Sequence, residues 1–219
     1  MNNFKAVLFD LDGTLIDSEH FYFSNWAPIL SEDYGLTINF EDWISHFAGH
    51  TLAHNVAMLN RDFKLKVDEE DMWFATRSRY AKADMRTIRL MPHAQELLEV
   101  VKSKELTIGL VTSSYKTTVD TVLGEHKLLD YFSFFVTRES VENPKPHPEP
   151  YLLAHKNLEL AKADILVVED TSTGCTAAKE AGLFCAAVSK QAVERERLNH
   201  ADVLTTNLKE LENILFSAS

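Results

Sequence analysis

Acidic residues directly follow two apolar runs of the sequence, and together they could bind a hard cation. Asp10 and Asp12 come after one run, and Glu169 and Asp170 come after another. Ligands of open α/β sheets bind at the carboxyl ends of the strands, so these carboxylates are candidates for one binding edge. Buried acids need something positive to neutralise them, and Mg²⁺ commonly takes one or two carboxylates together with waters and phosphate. The first pair taken alone could also be an ordinary acid-rich turn, with Asp12 and Gly13 as its turn residues.

Hydroxyl groups and a lysine lie in comparable places and suit a phosphate group. Thr112, Ser113 and Ser114 follow a further apolar run, at a predicted helix N-terminus where backbone N–H groups and the helix dipole favour an anion. The same residues could cap that helix, and the two interpretations are compatible. Lys145 lies between two prolines in a stiff loop, where an isolated lysine would be exposed to solvent. Four such segments in corresponding places favour a single site.

An alternation of strand and helix patterns predicts the scaffold that positions these residues. The strand candidates are apolar at successive positions, which is typical of strands buried on both faces. Amphipathic helix patterns separate them from about Thr107 onwards, which predicts an α/β fold with a Rossmann-like, doubly wound parallel sheet. The predicted strands are residues 6–9, 107–111, 132–136, 165–168, 184–188 and 201–204.

The segment between about Asp17 and Thr87 breaks this alternation and contains helical patterns only. The acidic run 68–71 is interpreted as the N-terminal turn of its last helix, where negative charge favours the helix dipole. The tryptophans of this segment are expected to pack in its core, with an aromatic wall of the substrate site as the less favoured alternative. The predicted organisation is an α/β core of residues 1–16 and 88–219 with an inserted helical domain of residues 17–87. The tryptophans are Trp26, Trp43 and Trp73.

The charge and composition argue against several classes of partner. The net charge is -11, from 22 basic and 33 acidic residues, so the chain should repel nucleic acid and anionic membranes. The sequence lacks a signal-peptide pattern and the run of ~20 apolar residues that a membrane-spanning helix needs. Cys175 and Cys185 fit buried thiols in a reducing compartment. We therefore expect a cytoplasmic protein; its oligomeric state stays open, with a monomer favoured.

The order of the chemical segments resembles the haloacid dehalogenase (HAD) superfamily of aspartyl phosphotransferases. The resemblance covers nearly the whole chain, and the helical insertion resembles the C1-type cap of that superfamily. Further phrases look like the branch of small sugar-phosphate phosphatases and β-phosphoglucomutase. Pro144 departs from the pattern, because many relatives have Gly there; a stiffer loop is expected. The four motifs are matched by Asp10-x-Asp12-Gly13-Thr14, by Thr112 with Ser113, by Lys145, and by Glu169-Asp170.

This resemblance implies a covalent mechanism with a metal ion. Asp10 would attack phosphorus to form an aspartyl-phosphate. Asp12 would protonate the leaving alcohol and then deprotonate the water that attacks the intermediate. Mg²⁺ would be held by Asp10, by the backbone carbonyl of Asp12 and by Asp170. Glu169 would lie near the metal or act through water.

The resemblance also implies how the substrate is held. Lys145 and Thr112 would bind the phosphoryl oxygens, with the backbone of Ser113 helping. Opening of the cap would admit substrate, and closure would exclude water. Candidate specificity residues of the cap are His20, Gly49 and His50.

Hydrolysis of a small phosphorylated metabolite, such as a sugar phosphate or a similar phosphomonoester, is the favoured function. A phosphomutase of the β-phosphoglucomutase type is the alternative. Mutases of this branch use a His and an Arg in the cap, and the matching positions here hold Tyr22 and Ala53. A phosphate-sensing module without turnover is a third hypothesis. Loss of Asp10, Asp12 or Lys145 would indicate such a module, and all three residues are present.

Overall fold

The computed structural model describes residues 4–48, 50–190 and 192–216. The chain divides into two compact units: Met1–Asp17 with Arg89–Ser219 (the sheet unit), and Ser18–Ile88 (the helical unit). Across the described ranges, no helix combines the length and the apolar character needed to cross a membrane. The strands are β1 (Ala6–Phe9), β2 (Ile16–Asp17), β3 (Arg89–Leu90), β4 (Thr107–Val111), β5 (Phe134–Val136), β6 (Ile165–Glu169), β7 (Phe184–Val188) and β8 (Val203–Thr205).

Helices occupy much of the remaining described chain. They are α1 (Glu19–Tyr34), α2 (Phe40–His46), α3 (Leu52–Asp62), α4 (Glu69–Tyr80), α5 (Ala94–Ser103), α6 (Lys116–Glu125), α7 (Glu149–Leu158), α8 (Ser172–Glu180), α9 (Ala192–Arg197) and α10 (Glu210–Phe216). The first four belong to the helical unit and the others to the sheet unit.

The sheet unit is built on a parallel six-stranded sheet with the order β5-β4-β1-β6-β7-β8. β1 lies between β4 and β6, so Ala6 is paired with Thr107 on one side and with Ile165 on the other. Every residue of β1 and β6 is buried, as expected for strands covered on both faces. This parallel sheet flanked by helices confirms the predicted Rossmann-like α/β fold.

Three strands differ from their predicted bounds, and for β6 the difference is one further residue, Glu169. β5 covers Phe134–Val136 only, because a 3₁₀ turn over Leu129–Tyr131 takes up the chain just before it. β8 covers Val203–Thr205, shifted towards the C-terminus, and Thr205 is buried there with its hydroxyl donating to the Ala187 carbonyl. The bounds of a strand are difficult to predict from a run of apolar residues when the strand includes polar residues or when apolar residues lie just outside it.

The helical unit has its own core around Trp26 and Trp43, whose indole nitrogens donate to Tyr80 Oη and Glu19 Oε2. The acidic run does begin α4: the Asp68 side chain accepts the N–H groups of residues 70 and 71. The expectation that Trp73 packs in the core is wrong, because this residue is 44% exposed. It lies under the Arg77 guanidinium, 5.7 Å from the ring centroid, which gives this exposed ring a cationic neighbour.

Candidate active site

The ends of three neighbouring strands bring the predicted site residues together in the sheet unit. Asp10 follows β1, Thr112 follows β4, and Glu169 is the last residue of β6. The Asp10 N–H donates to the Val168 carbonyl at 3.0 Å, so the ladder fixes the backbone at the point where the nucleophile candidate begins. Since these strands are adjacent in the sheet, their terminal side chains face one edge.

Lys145 lies inside this group of strand ends. Its ammonium nitrogen donates to Asp10 Oδ1 at 2.6 Å, to Glu169 Oε1 at 2.6 Å and to the Val111 carbonyl at 2.8 Å. These three bonds use every hydrogen that a lysine can donate. The side chain is only 5% exposed, so the Pro-flanked lysine is not the solvent-exposed residue that its loop alone would indicate.

The charges of this network are strongly coupled. Burial by itself would lower the pKa of Lys145, but the carboxylates of Asp10 and Glu169 raise it above its ordinary value, so the ammonium stays charged. Burial raises the pKa of Asp10 to about 8; Lys145 opposes this rise, and the Glu169 and Asp12 carboxylates add to it. A second positive charge beside Asp10 would therefore favour its ionised form.

Glu169 is fully buried and is satisfied by protein groups. Besides Lys145, its carboxylate accepts hydrogen bonds from the Tyr151 hydroxyl at 2.7 Å and from the Thr171 hydroxyl at 3.2 Å. Burial and the nearby Glu169 carboxylate raise the pKa of Tyr151 well above its ordinary value. The phenol therefore stays protonated and donates a hydrogen bond to Glu169. Tyr151 is a buried residue of α7 that the sequence analysis does not single out; the available signal was that a buried tyrosine needs a partner for its hydroxyl.

An acidic cluster with the character of a metal site forms beside this network. Asp10, Glu169 and Asp170 each offer a carboxylate oxygen, and these oxygens lie within 4.8 Å of one another. The Thr14 hydroxyl donates to Asp170 Oδ1 at 3.2 Å. A Cβ built at Gly13 would lie 2.0 Å from Asp170 Oδ2, so the turn has room for that carboxylate only because residue 13 is glycine. Oxygen donors carrying this much negative charge fit a hard divalent cation.

The side chain of Asp12 is hydrogen-bonded by a residue that follows the neighbouring strand, β4. Its Oδ2 accepts a hydrogen bond from the Ser114 hydroxyl at 2.6 Å, and the Ser114 N–H donates to Thr112 Oγ1 at 3.0 Å. The predicted helix begins only at Lys116, and the carboxylate of Glu139 accepts its N–H, so the hydroxyl cluster lies in the loop before the helix. Ser113 is exposed in that loop.

This arrangement matches a known family. The haloacid dehalogenase-like hydrolase family matches residues 7–188 of the chain, which include all of β1 except Ala6, the acidic cluster and Lys145. The chain belongs to the haloacid dehalogenase-like hydrolase family. The predicted family is thereby confirmed.

Relatives of this HAD-like hydrolase include named phosphatases. Validoxylamine A 7'-phosphate phosphatase of Streptomyces hygroscopicus subsp. limoneus is 32% identical, over 95% of this chain and 96% of its own. Phosphorylated carbohydrates phosphatase of Thermotoga maritima is 31% identical, over 82% of each chain. Both matches span most of the two chains, so the similarity is not confined to the motifs.

Solved structures with the same fold support the predicted branch. A HAD family hydrolase from Deinococcus radiodurans R1, crystallised with bound phosphate and sodium, is 25% identical with a TM-score of 0.81, covering 98% of this chain and 96% of that one. A Thermotoga maritima structure provisionally assigned as a β-phosphoglucomutase is 28% identical with a TM-score of 0.77, covering 98% and 100%. The HAD-like hydrolase thus groups with the sugar-phosphate phosphatase and phosphomutase branch.

Two specificity candidates of this HAD-like hydrolase, His20 and His50, lie in its helical unit. The His20 ring is exposed and stacks on Phe40, with the ring centroids 3.7 Å apart. The His50 ring stacks on His54 at 4.1 Å. Gly49 lies outside the described residues. The roles of these residues in selecting a substrate stay predictions.

Gly174 is a residue that sequence reading missed, and its replacement gives a clear expectation. A Cβ at position 174 would lie 1.9 Å from Glu169 Oε1 and 2.2 Å from Oε2. Gly174→Ala should therefore displace the Glu169 carboxylate from Lys145 and Tyr151 and destabilise the protein by about 1–3 kcal/mol, as overpacking of a core does. Urea unfolding measures this. Gly124→Ala is the matched control, because its Cβ would meet a single side-chain atom at 3.6 Å. Equal stability of the two variants would contradict the expectation.

Proposed function

We propose that this HAD-like hydrolase is a Mg²⁺-dependent phosphatase that hydrolyses a small phosphorylated metabolite, a sugar phosphate or similar phosphomonoester, through an aspartyl-phosphate. Several of its relatives are named as phosphatases, and the chain is accordingly a phosphoric monoester hydrolase. The observation that carries the proposed mechanism is the buried carboxylate of Asp10, held by the Lys145 ammonium at the end of the central strand.

The residues at the strand ends would hydrolyse the phosphate ester in two steps. In the first, a carboxylate oxygen of Asp10 forms a bond to phosphorus as the ester P–O bond breaks, and Asp12 gives its proton to the departing alcohol. In the second, a water oxygen forms a bond to phosphorus as the aspartyl P–O bond breaks, and Asp12 takes a proton from that water. Covalent catalysis of this kind divides one difficult displacement into two easier ones.

Lys145 holds the carboxylate of Asp10 in the orientation from which it attacks phosphorus. Its hydrogen bond to Asp10 Oδ1 orients the carboxylate, and its bond to the buried Glu169 stops the ammonium from swinging away. A phosphoryl group bound next to Asp10 would share this ammonium, with Thr112 and the backbone of Ser113 as further donors. Phosphoryl transfer depends mainly on such positioning and charge stabilisation.

The metal would be held by the side chains of Asp10 and Asp170 and by the backbone carbonyl of Asp12. Glu169 is engaged by Lys145 and Tyr151, which favours a role beside the metal ligands rather than among them. Bound Mg²⁺ supplies positive charge that reduces the repulsion between a carboxylate and a phosphate dianion. The chemistry of the donor set supports this assignment, since it consists of oxygens only.

The helical unit is proposed to act as the cap that selects the substrate. Residues 17–87 would form this cap and residues 1–16 and 88–219 the catalytic core. His20, Gly49 and His50 are the proposed specificity residues.

The experiment that tests this function is phosphate release from a panel of phosphorylated metabolites, with and without Mg²⁺. Release that depends on Mg²⁺ is expected, with the preferred ester identifying the substrate class. The panel includes β-glucose 1-phosphate with an assay for its isomerisation, because structural relatives include assigned β-phosphoglucomutases. Isomerisation with little release would replace the phosphatase proposal with the mutase one. No turnover of any ester would overturn both.

Asp170→Asn should raise the Mg²⁺ concentration needed for half-maximal activity by about tenfold or more, as loss of metal-site groups does. The amide keeps the shape of the side chain and can still accept the bond from Thr14, but it removes the charge that binds the metal. A Mg²⁺ titration of phosphate release measures the shift.

The control for this prediction is Asp164→Asn. Asp164 is paired with Lys5 at 2.7 Å and lies just before β6, at the end of the strand away from Asp170. Its replacement should leave the titration unchanged. A Mg²⁺ requirement that is the same in Asp170→Asn as in the parent protein would count against the metal role of Asp170.

A further inference from the structure

The proposed function gives Ser114 no role, yet this residue makes one of the short side-chain contacts of the site. Its hydroxyl donates to Asp12 Oδ2 at 2.6 Å, across a separation of 102 residues along the chain. We propose that Ser114 is a positioning residue for Asp12, holding this carboxyl in the orientation that delivers its proton to the departing alcohol. The proposal rests on the acid/base role given to Asp12 in the proposed function.

The position of Ser114 is fixed independently of Asp12. Its N–H donates to Thr112 Oγ1 at 3.0 Å, and its carbonyl accepts the Arg138 N–H at 3.0 Å. Thr112 is itself tied to β5 through its N–H bond to the Val136 carbonyl at 2.9 Å. The serine hydroxyl is therefore presented by backbone that is held on both sides, and it can act as a fixed reference point for the carboxyl that it contacts.

The backbone of Asp12 is also constrained. Asp12 forms a bridge with Ile16, and the Gly13 N–H donates to the Ile16 carbonyl at 2.8 Å, which closes a tight turn after β1. With the Cα position set by this turn, the remaining freedom of Asp12 lies in its side-chain torsions. A hydrogen bond to Oδ2 restricts those torsions.

The hydrogen bond to Oδ2 therefore holds the Asp12 carboxyl in one orientation. Positioning of this kind makes a general acid effective, since the proton donor must lie within hydrogen-bond reach of the atom it protonates.

The dependence of kcat/KM on the leaving group distinguishes a positioning role of Ser114 from a purely structural one. An alkyl alcohol needs a proton to depart, whereas nitrophenolate is stable as an anion and does not. The ratio kcat/KM reports the steps up to the first irreversible one, which here is formation of the aspartyl-phosphate and loss of the alcohol. Ser114→Ala should therefore lower kcat/KM about tenfold or more for the best alkyl phosphate of the panel, and leave it nearly unchanged for p-nitrophenyl phosphate.

Two further variants sharpen this test. Ser114→Thr keeps a hydroxyl and should recover most of the activity on the alkyl ester. Ser114→Cys keeps a similar volume but donates only weakly, so it should resemble Ser114→Ala. Ser103→Ala is the matched control, because Ser103 is exposed at the end of α5 and its hydroxyl bonds only to the Val100 carbonyl among the contacts described for it. It should leave both substrates unaffected.

The outcomes separate this inference from the proposed function. A parent protein that hydrolyses neither ester overturns the proposed function itself. If the parent is active and Ser114→Ala or Ser114→Cys lowers kcat/KM by the same factor on both esters, Ser114 is structural and the inference is wrong. Undiminished activity of both variants on the alkyl ester overturns it as well. A selective loss on the alkyl ester, recovered in Ser114→Thr, supports it.

Discussion

Asp10→Asn is expected to lower phosphate release by at least about 10³-fold, as removal of a covalent nucleophile does, while the protein stays folded. The amide oxygen of Asn is a poor nucleophile, but the side chain has the same shape and can still accept the hydrogen bond from Lys145. Burial raises the pKa of Asp10 to about 8, so the folded protein does not favour the charged carboxylate and a neutral amide should be well tolerated. Steady-state phosphate release and thermal unfolding measure the two parts of this expectation.

Trapping of the covalent intermediate adds a direct readout for Asp10. Acid quenching of the parent protein during turnover of a labelled phosphate ester should leave label on the chain, and Asp10→Asn should carry none. Asp164→Asn, which changes an acid outside the site, is expected to label like the parent. Turnover by Asp10→Asn within tenfold of the parent would remove Asp10 from the role of nucleophile.

Lys145→Met should cause the second large effect, on both activity and stability. The substitution retains much of the side-chain volume but leaves Glu169 as a buried carboxylate without its cation, and it removes from Asp10 the cation that favours its ionised form. Breaking a buried ion pair from one side costs about 3–5 kcal/mol, and loss of one preorganised donor costs about 10²–10³-fold in rate. Urea unfolding and kcat/KM measure these losses.

A second substitution separates the two effects of Lys145. The double variant Lys145→Met with Glu169→Gln removes the stranded charge of Glu169, so it should recover part of the stability and none of the activity. Lys5→Met is the matched control, because Lys5 is 56% exposed in its pair with Asp164 and such pairs contribute at most about 1 kcal/mol. A Lys145→Met protein as stable as Lys5→Met would show that the buried network of Lys145, Asp10 and Glu169 does not stabilise the protein.

The sequence was informative about the site wherever a residue follows a strand. Asp10, Thr112 and Glu169 could be placed because the ends of parallel strands share one edge, which requires only the pattern of short apolar runs. Lys145 could be recognised through the family resemblance, but its burial depends on the fold. Local pattern and topology were enough to group these residues.

Contacts between distant side chains could not be predicted in this way. The Ser114–Asp12 bond and the Tyr151–Glu169 bond join residues whose approach depends on side-chain torsions in the folded protein. Gly174 gave no signal either, because the reason for its lack of a side chain is a carboxylate that lies against its backbone only after folding. Trp73 shows the converse limit: a large apolar residue in a helical pattern is not always directed into a core.

The place of β1 in the sheet has a consequence for how the protein is made. This strand is synthesised before both of its partners, since Ala6 pairs with Thr107 and Ile165, about 100 and 160 residues further along the chain. At a synthesis rate of about 5–20 residues per second, the second partner follows on the order of 10 to 30 s later. During that interval the nascent chain carries an apolar strand with at least one unpaired edge, a substrate for chaperones. A full-length chain refolding from denaturant has all three strands available at once.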